Sequence, residues 1–343
     1  MEDSADAAPL VPGQVLENKY RISKMLGGGA MGIVYEGYHL RLEKSVAIKV
    51  LRPELAKVED LRDRFEAEAR AAAALGHPNI VTVTDLGQTP TGALYFVMDR
   101  LRGETLGERL EKNGKLDVAA AARIMLEVLS GLEAAHKLRL VHRDLKPDNI
   151  FLARPPGGRE IAKILDFGIA KALASVGRRA QGTRVGTTVG TPMYMAPEQA
   201  VADPDIDARA DLYSLGVILY QTLAGRPPFD GNNAVDVLAA VMMETPPALG
   251  SLCPQAPFEL VQLVEAAMSR DRNKRPSTAG EFITRLQEAV AQVKPVAAAK
   301  GNTAYDASGL ASLDKAVLVD LTGNPVHEAA PAAITFVDDL FQQ

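Results

Sequence analysis

The sequence predicts an α+β fold with a strand-rich first part and a helix-rich second part. Three observations carry this reading. Short β-branched and aromatic runs recur between residues 20 and 100. One stretch without glycine or proline, Leu61–Leu75, interrupts them with a strong helix composition. After Arg100 the apolar spacing becomes helical.

Residues 1–19 are small, acidic and proline-containing, and read as a flexible lead. Tyr20–Leu26 and Ile33–His39 read as strands around a glycine cluster, followed by the β-branched run Val46–Leu51. After Leu61–Leu75, Gly76-His77-Pro78 stops the helix. Val81–Leu86 and Ala93–Asp99 complete the strands of this part. In Val118–Lys137, apolar residues at 124, 125, 128, 129 and 132 share one helical face. Ile150–Ala153 and Ile161–Ile164 surround Pro155-Pro156-Gly157-Gly158, a hairpin turn by composition. Further helices are expected at 210–224, 233–243, 257–268 and 278–292. The domain is therefore expected over 20–290, with one lobe at 20–100 and the other at 101–290. Residues 291–343 carry three Lys/Arg against six Asp/Glu and read as a mostly disordered tail. Leu310, Leu313, Val317 and Leu321 fall at helical spacing within it, a candidate docking segment for a partner.

Composition narrows the function. Hydrophobic residues make up 47% of the 343, enough for a sizeable core. A net charge of −5 lacks the basic footprint of a nucleic-acid binder. Cys253 is the only cysteine, so an intramolecular disulfide and a four-thiolate zinc site are excluded. The acidic start, Met1-Glu2-Asp3-Ser4-Ala5-Asp6, is unlike a signal peptide. The longest apolar candidate, Ser214 to Gly225, is 12 residues and suits a buried helix better than a membrane span. A cytoplasmic protein without a membrane span is expected.

Four motifs carry chemistry. Gly27-Gly28-Gly29-Ala30-Met31-Gly32-Ile33-Val34 contains G-x-G-x-x-G-x-V, in which glycine lets backbone approach phosphates. A dinucleotide site would follow such a loop with a helix, whereas Ile33-Val34-Tyr35 favours a strand. Lys49, in Val46-Ala47-Ile48-Lys49, lies fifteen residues beyond Val34 inside an apolar run. His142-Arg143-Asp144-Leu145-Lys146-Pro147-Asp148-Asn149 sets a carboxylate, an ammonium and a carboxamide within eight residues, and Asp166-Phe167-Gly168 follows. These groups can orient a hydroxyl, hold a phosphate and bind a hard cation, as phosphoryl transfer from ATP requires.

In order and spacing these motifs resemble those of protein kinases. Lys146-Pro147 and Thr191 point to the Ser/Thr class over tyrosine kinases, and a small-molecule kinase is a further reading. Leu26-Gly27-Gly28-Gly29-Ala30-Met31-Gly32 and Leu223-Ala224-Gly225-Arg226-Pro227-Pro228-Phe229 resemble the bacterial eukaryotic-like (Hanks-type) Ser/Thr kinases. The resemblance implies the two-lobed kinase fold and transfer of the γ-phosphate of ATP to protein Ser/Thr hydroxyls in signal transduction. It makes Asp144 the group that accepts or orients the hydroxyl proton, and Lys146 the γ-phosphate contact. Asn149 and Asp166 become the ligands of Mg2+ (or Mn2+). Lys49 would contact the α/β-phosphates and pair with a glutamate of the following helix. Glu59, Glu66 and Glu68 compete, and reading back from Leu75-Gly76-His77-Pro78-Asn79-Ile80 selects Glu68, with Glu66 second.

Met98 resembles the residue behind the adenine, and the backbone of Asp99 to Leu101 the segment bonding its edge. Val34, Ala47 and Phe151 would cover the ring, the glycine loop would approach the phosphates, and Leu26 would also belong to the nucleotide site. Arg143 resembles the arginine that grips an activation-segment phosphate, with Thr183, Thr187 and Thr188 as phosphosite candidates. Autophosphorylation would bring two copies together, so a dimer is compatible with the reading. Thr191 would line the site beside Asp144 and Lys146. His142 and Phe167 fit the family's buried packing column. Glu198 with Arg275, and Asp211, resemble the family's structural anchors. The other-class reading is a pseudokinase scaffold, against which the intact Lys49, Asp144, Asn149 and Asp166 argue.

Overall fold

In a computed structural model, strand β4 (Lys44–Leu51) explains why its sequence is apolar from Val46 onward except at Lys49. Strand side chains alternate between faces. Val46, Ile48 and Val50 enter one core with Leu16, Tyr20, Ile22, Tyr35, Tyr95 and Val97. Ala47 and Leu51 enter another with Phe65, Ala69, Leu94, Phe96 and Met98. The structure describes residues 10–29, 32–52, 59–166, 192–291 and 293.

The first lobe is an antiparallel sheet in the order β1-β2-β3-β4-β6-β5. Its other strands are β1 (Val15–Leu16), β2 (Tyr20–Gly28), β3 (Gly32–His39), β5 (Val83–Gln88) and β6 (Leu94–Asp99). Helix α1 (Glu59–Leu75) packs through Phe65, Ala69 and Ala72 on the Ala47 face.

Two expectations need correction here. The lead is not flexible over residues 10–19. Leu16 is fully buried, β1 pairs with β2 through Leu16↔Tyr20, and the Leu10 amide donates to the Tyr35 hydroxyl at 3.2 Å. The strand expected at Val81–Leu86 starts later, at Val83, because Asn79 and Val81 are already bonded to the other lobe.

The second lobe begins with β7 (Gly103–Thr105) and α2 (Leu106–Asn113), neither of which was expected. Gly103 has φ of 140°, and a Cβ there would sit 2.0 Å from the Leu152 carbonyl oxygen. Helix α2 opens with a reciprocal cap: the Glu108 amide donates to Thr105 Oγ1 at 3.1 Å and the Thr105 amide to Glu108 Oε2 at 2.9 Å. Asp117 caps α3 (Val118–Lys137), whose bounds agree with the sequence reading. Strands β8 (Ile150–Ala153) and β9 (Ile161–Ile164) also begin and end where expected, and form a sheet in the order β7-β8-β9.

The remaining helices are α4 (Pro197–Ala200), α5 (Arg209–Ala224), α6 (Ala234–Met243), α7 (Leu249–Leu252), α8 (Phe258–Ala267) and α9 (Ala279–Val290). Apolar all round, α5 is the buried axis of this lobe, from Leu212 to Leu223. No helix among the described residues is long and apolar enough to cross a membrane.

Candidate active site

The glycine cluster turns the β2–β3 hairpin: Gly27 pairs with Val34 and Gly28 with Ile33, and the Gly29 amide donates to the Gly32 carbonyl at 2.8 Å. A strand follows, as the sequence suggested; Ala30 and Met31 lie outside the described residues. Leu26 is partly exposed beside the loop. Lys49 projects from β4 on the α1 face and is only 7% exposed. Its ammonium lies 2.7 Å from Asp166 Oδ1 and 5.4 Å from the Phe96 ring centroid. A buried ammonium requires such a counter-charge. Glu68 lies on α1, but its side chain is outside the described residues. The competing Glu66 pairs instead with Arg70 at 2.6 Å.

Behind this pair, Ala47 stands opposite Met98 in the β4–β6 register, and both are buried with Val34, Leu101 and Leu165 packed against them. Phe151 lies half-buried on β8. The Asp99 amide already donates to the Thr82 carbonyl at 3.1 Å, so Asp99 can offer a ligand edge only its carbonyl. Among the described residues the Leu101 amide has no partner.

The 142–149 stretch hangs from Asp211, which is fully buried at the start of α5. One carboxylate oxygen accepts the His142 amide and the other the Arg143 amide, each at 2.8 Å; His136 Nε2 is also 2.8 Å from Oδ2. Burial pushes the Asp211 pKa up, but the His136 contact, the nearby His142 and the amide bond outweigh it and hold the carboxyl below its usual range. Arg143 and Asp166 have φ of 62° and 46°, a region non-glycine residues rarely adopt. These strained positions bracket the site, as strain often does.

Asn149 donates through Nδ2 to the Asp144 carbonyl at 2.8 Å, which leaves its Oδ1 as an oxygen donor. The Leu165 amide donates to the Asn149 carbonyl at 2.8 Å, and the Leu165 carbonyl lies 3.0 Å from His142 Nε2. Leu165 thus fixes Asp166 relative to Asn149 and Asp144. It was missed in the sequence because these two bonds are made by its backbone, which the residue type does not reveal. Lys146 Nζ lies 4.0 Å from Asp148 Oδ2.

Beyond the segment 167–191, Arg275 forms a two-pronged pair with Glu198 at 2.6 and 2.8 Å. Gln199, also missed, donates to the Arg143 carbonyl at 2.9 Å and so ties α4 to the 142–149 stretch. Phe167, Thr183, Thr187, Thr188 and Thr191 lie outside the described residues.

The sheet lobe that presents a buried lysine, and the helical lobe that presents Asp144, Asn149 and Asp166, define a protein kinase fold. The protein kinase domain family matches residues 20–290. The chain belongs to that family, among the bacterial Hanks-type Ser/Thr kinases. It is 37% identical over 305 residues to serine/threonine-protein kinase pkn3 of Myxococcus xanthus, covering 88% of this chain and 56% of that protein. Pkn1 of the same organism is 40% identical over 314 residues, covering 90% and 44%. The chain spans about half the length of these curated relatives. The crystal structure of the Mycobacterium tuberculosis PknI kinase domain superposes with a TM-score of 0.64 at 28% identity, covering 82% of this chain and 100% of that domain.

Proposed function

We propose that this chain is a Ser/Thr protein kinase that transfers the γ-phosphate of ATP to hydroxyls of protein substrates. The observation that carries this reading is the meeting of Lys49 and Asp166 at 2.7 Å, from separate lobes, beside the turn that holds Asp144 and Asn149. Asp144 orients the attacking hydroxyl and takes its proton. Lys49 and Lys146 bring positive charge to the phosphates. The Leu101 amide and the Asp99 carbonyl bond the adenine edge, and Val34, Ala47, Met98 and Phe151 exclude water around the ring.

Asn149 Oδ1 and the Asp166 carboxylate are hard oxygen donors and fit magnesium or manganese, which takes its other ligands from phosphate and water. Such a cation would neutralise charge on the transferring phosphoryl group.

The domain is proposed to span 20–290, with 291–343 a tail outside it, and the protein to act in the cytoplasm. Autophosphorylation at Thr183, Thr187 or Thr188 is part of the proposal. It is supported by Arg143, whose backbone is held at both ends by Asp211 and Gln199. Phosphate gripped there would order the segment.

The test is incubation with γ-labelled ATP and magnesium, followed by phosphoamino-acid analysis and mapping. Label on serine or threonine that disappears with a chelator is expected. Nucleotide binding without transfer would favour a scaffold, and active protein unmodified at the three threonines would remove the autophosphorylation claim.

A further inference from the structure

An edge strand exposes backbone groups that need partners. β9 is such an edge, and it ends two residues before Asp166. Its outer edge is covered by two other elements. The Ala162 amide donates to Glu127 Oε2 of α3 at 2.5 Å. The Ala162 carbonyl accepts Asn79 Nδ2 at 2.9 Å. The Ile164 amide donates to the Asn79 carbonyl at 2.8 Å, and the Ile164 carbonyl accepts the Val81 amide at 3.0 Å.

Segment 77–81 is therefore bonded through its backbone to the helical lobe, although by sequence it links α1 to the sheet lobe and the Val81 side chain already packs in the sheet-lobe core with Phe65 and Ala69. Ile80 is buried in the helical-lobe core with Ile164 and Leu132, not in either core of the sheet lobe. Gly131 of α3 permits that approach, since a Cβ there would lie 3.0 Å from Ile164 Cδ1 and 3.1 Å from the Asn79 carbonyl oxygen.

One side chain spans this seam with its charge. Lys163 Nζ donates to the Pro78 carbonyl at 2.6 Å and to the Ile80 carbonyl at 3.4 Å. Burial pushes its pKa down, opposed by Asp99, the acid that begins the segment between the lobes. Lys163 thus joins two parts: the segment that follows α1 and the strand that delivers Asp166.

We propose that Lys163 is a positioning residue for phosphoryl transfer, clamping segment 77–81 to β9 so that Lys49 and Asp166 keep one relative placement. The proposal rests on the kinase reading. The seam bonds the segment that leads into the sheet lobe to the strand that leads to Asp166. Charged hydrogen bonds to carbonyls are stronger than neutral ones. Losing both leaves the backbone pairing but lets the lobes rock about it. Small misplacements of reacting groups cost rate steeply.

Three proteins test it: wild type, Lys163→Met and Lys163→Arg. Each is assayed for kcat per ATP-binding site, for the KM of ATP, and for hydrogen exchange at the Val81 and Ile164 amides. Lys163→Met is expected to lower kcat on the order of tenfold, with the KM of ATP changed less than about twofold, because the groups that bind ATP remain. Both amides should exchange faster. Lys163→Arg, which keeps charge and donors, should recover at least half of the lost rate. A Lys163→Met kcat within threefold of wild type, or an arginine variant as slow as the methionine one, would overturn the proposal while leaving the kinase reading intact. A wild-type protein that transfers no phosphate would instead overturn the kinase reading itself.

Discussion

Replacing Arg275 with methionine isolates the anchor of the segment that follows the active site. The Arg275 side chain is fully buried, and its partner Glu198 is 7% exposed. Arg275 also donates to the carbonyls of Ser269, Arg209 and Arg270 at 2.7, 3.1 and 3.3 Å, and its guanidinium lies 4.9 Å from the Tyr213 ring centroid. Removing one partner of a buried pair costs about 3–5 kcal/mol, chiefly because the remaining charge is stranded. The three carbonyls that also lose a charged donor place Arg275→Met in the upper half of that range. At roughly 2–4 °C per kcal/mol for a domain this large, melting should fall by about 8–20 °C. Calorimetry of the single variant reads this directly. Glu198→Leu added to Arg275→Met removes the stranded carboxylate, so the double variant should melt above the single one. Loosened α4 would also release Gln199 from the Arg143 carbonyl, so kcat should fall further than the folded fraction does. A melting shift under about 3 °C, with no gain in the double variant, would refute the reasoning.

Two further outcomes follow from the same structure. Contacts from Lys112, and then Arg109, hold Glu104 below its usual pKa; at Glu160, Arg109 and Arg154 outweigh the upward push of burial. Their folded pKa values lie below the unfolded ones, so their stabilisation is complete above the unfolded pKa, about 4.3, and is lost as pH falls through the folded values. Melting temperature should therefore drop on acidification below about pH 4.5, and Arg109→Met should flatten that drop; identical acid profiles would count against it. Gly103→Ala places a Cβ 2.0 Å from the Leu152 carbonyl oxygen at φ of 140° and should cost at least about 2 kcal/mol by chemical denaturation, whereas a neutral effect would show that the β7–β8 pairing is not needed.

How much was legible in the sequence depended on how local each cause is. Helix α3 and strands β8 and β9 were legible to the residue, because apolar spacing and the Pro-Pro-Gly-Gly turn act within a few positions. Helix α2 was legible in principle, since Thr105 and Glu108 stand at capping-box spacing, but its short run carries little periodicity. Leu16 looked like part of a loose lead because two strand residues give no pattern, and only pairing with Tyr20 buries it. The late start of β5 was not legible at all. It depends on Asn79 and Val81 bonding β9 some eighty residues away, a contact that local composition does not encode. In the candidate site, Lys49, Asp144, Asn149 and Asp166 were singled out from motifs whose residue types and spacing act locally. Supports that depend on long-range bonds to backbone, such as the Leu165 amide to the Asn149 carbonyl and the Gln199 side chain to the Arg143 carbonyl, were not.

The central claim is that Asp144 stands where a substrate hydroxyl loses its proton, held there by Asp211. The most direct measurement compares wild type with Asp144→Asn for γ-phosphate transfer and, separately, for ATP affinity. The substitution keeps shape and removes the proton acceptor. Transfer should fall by about 10²–10⁴-fold while ATP affinity stays within a fewfold of wild type. Transfer by Asp144→Asn at the wild-type rate would contradict the account.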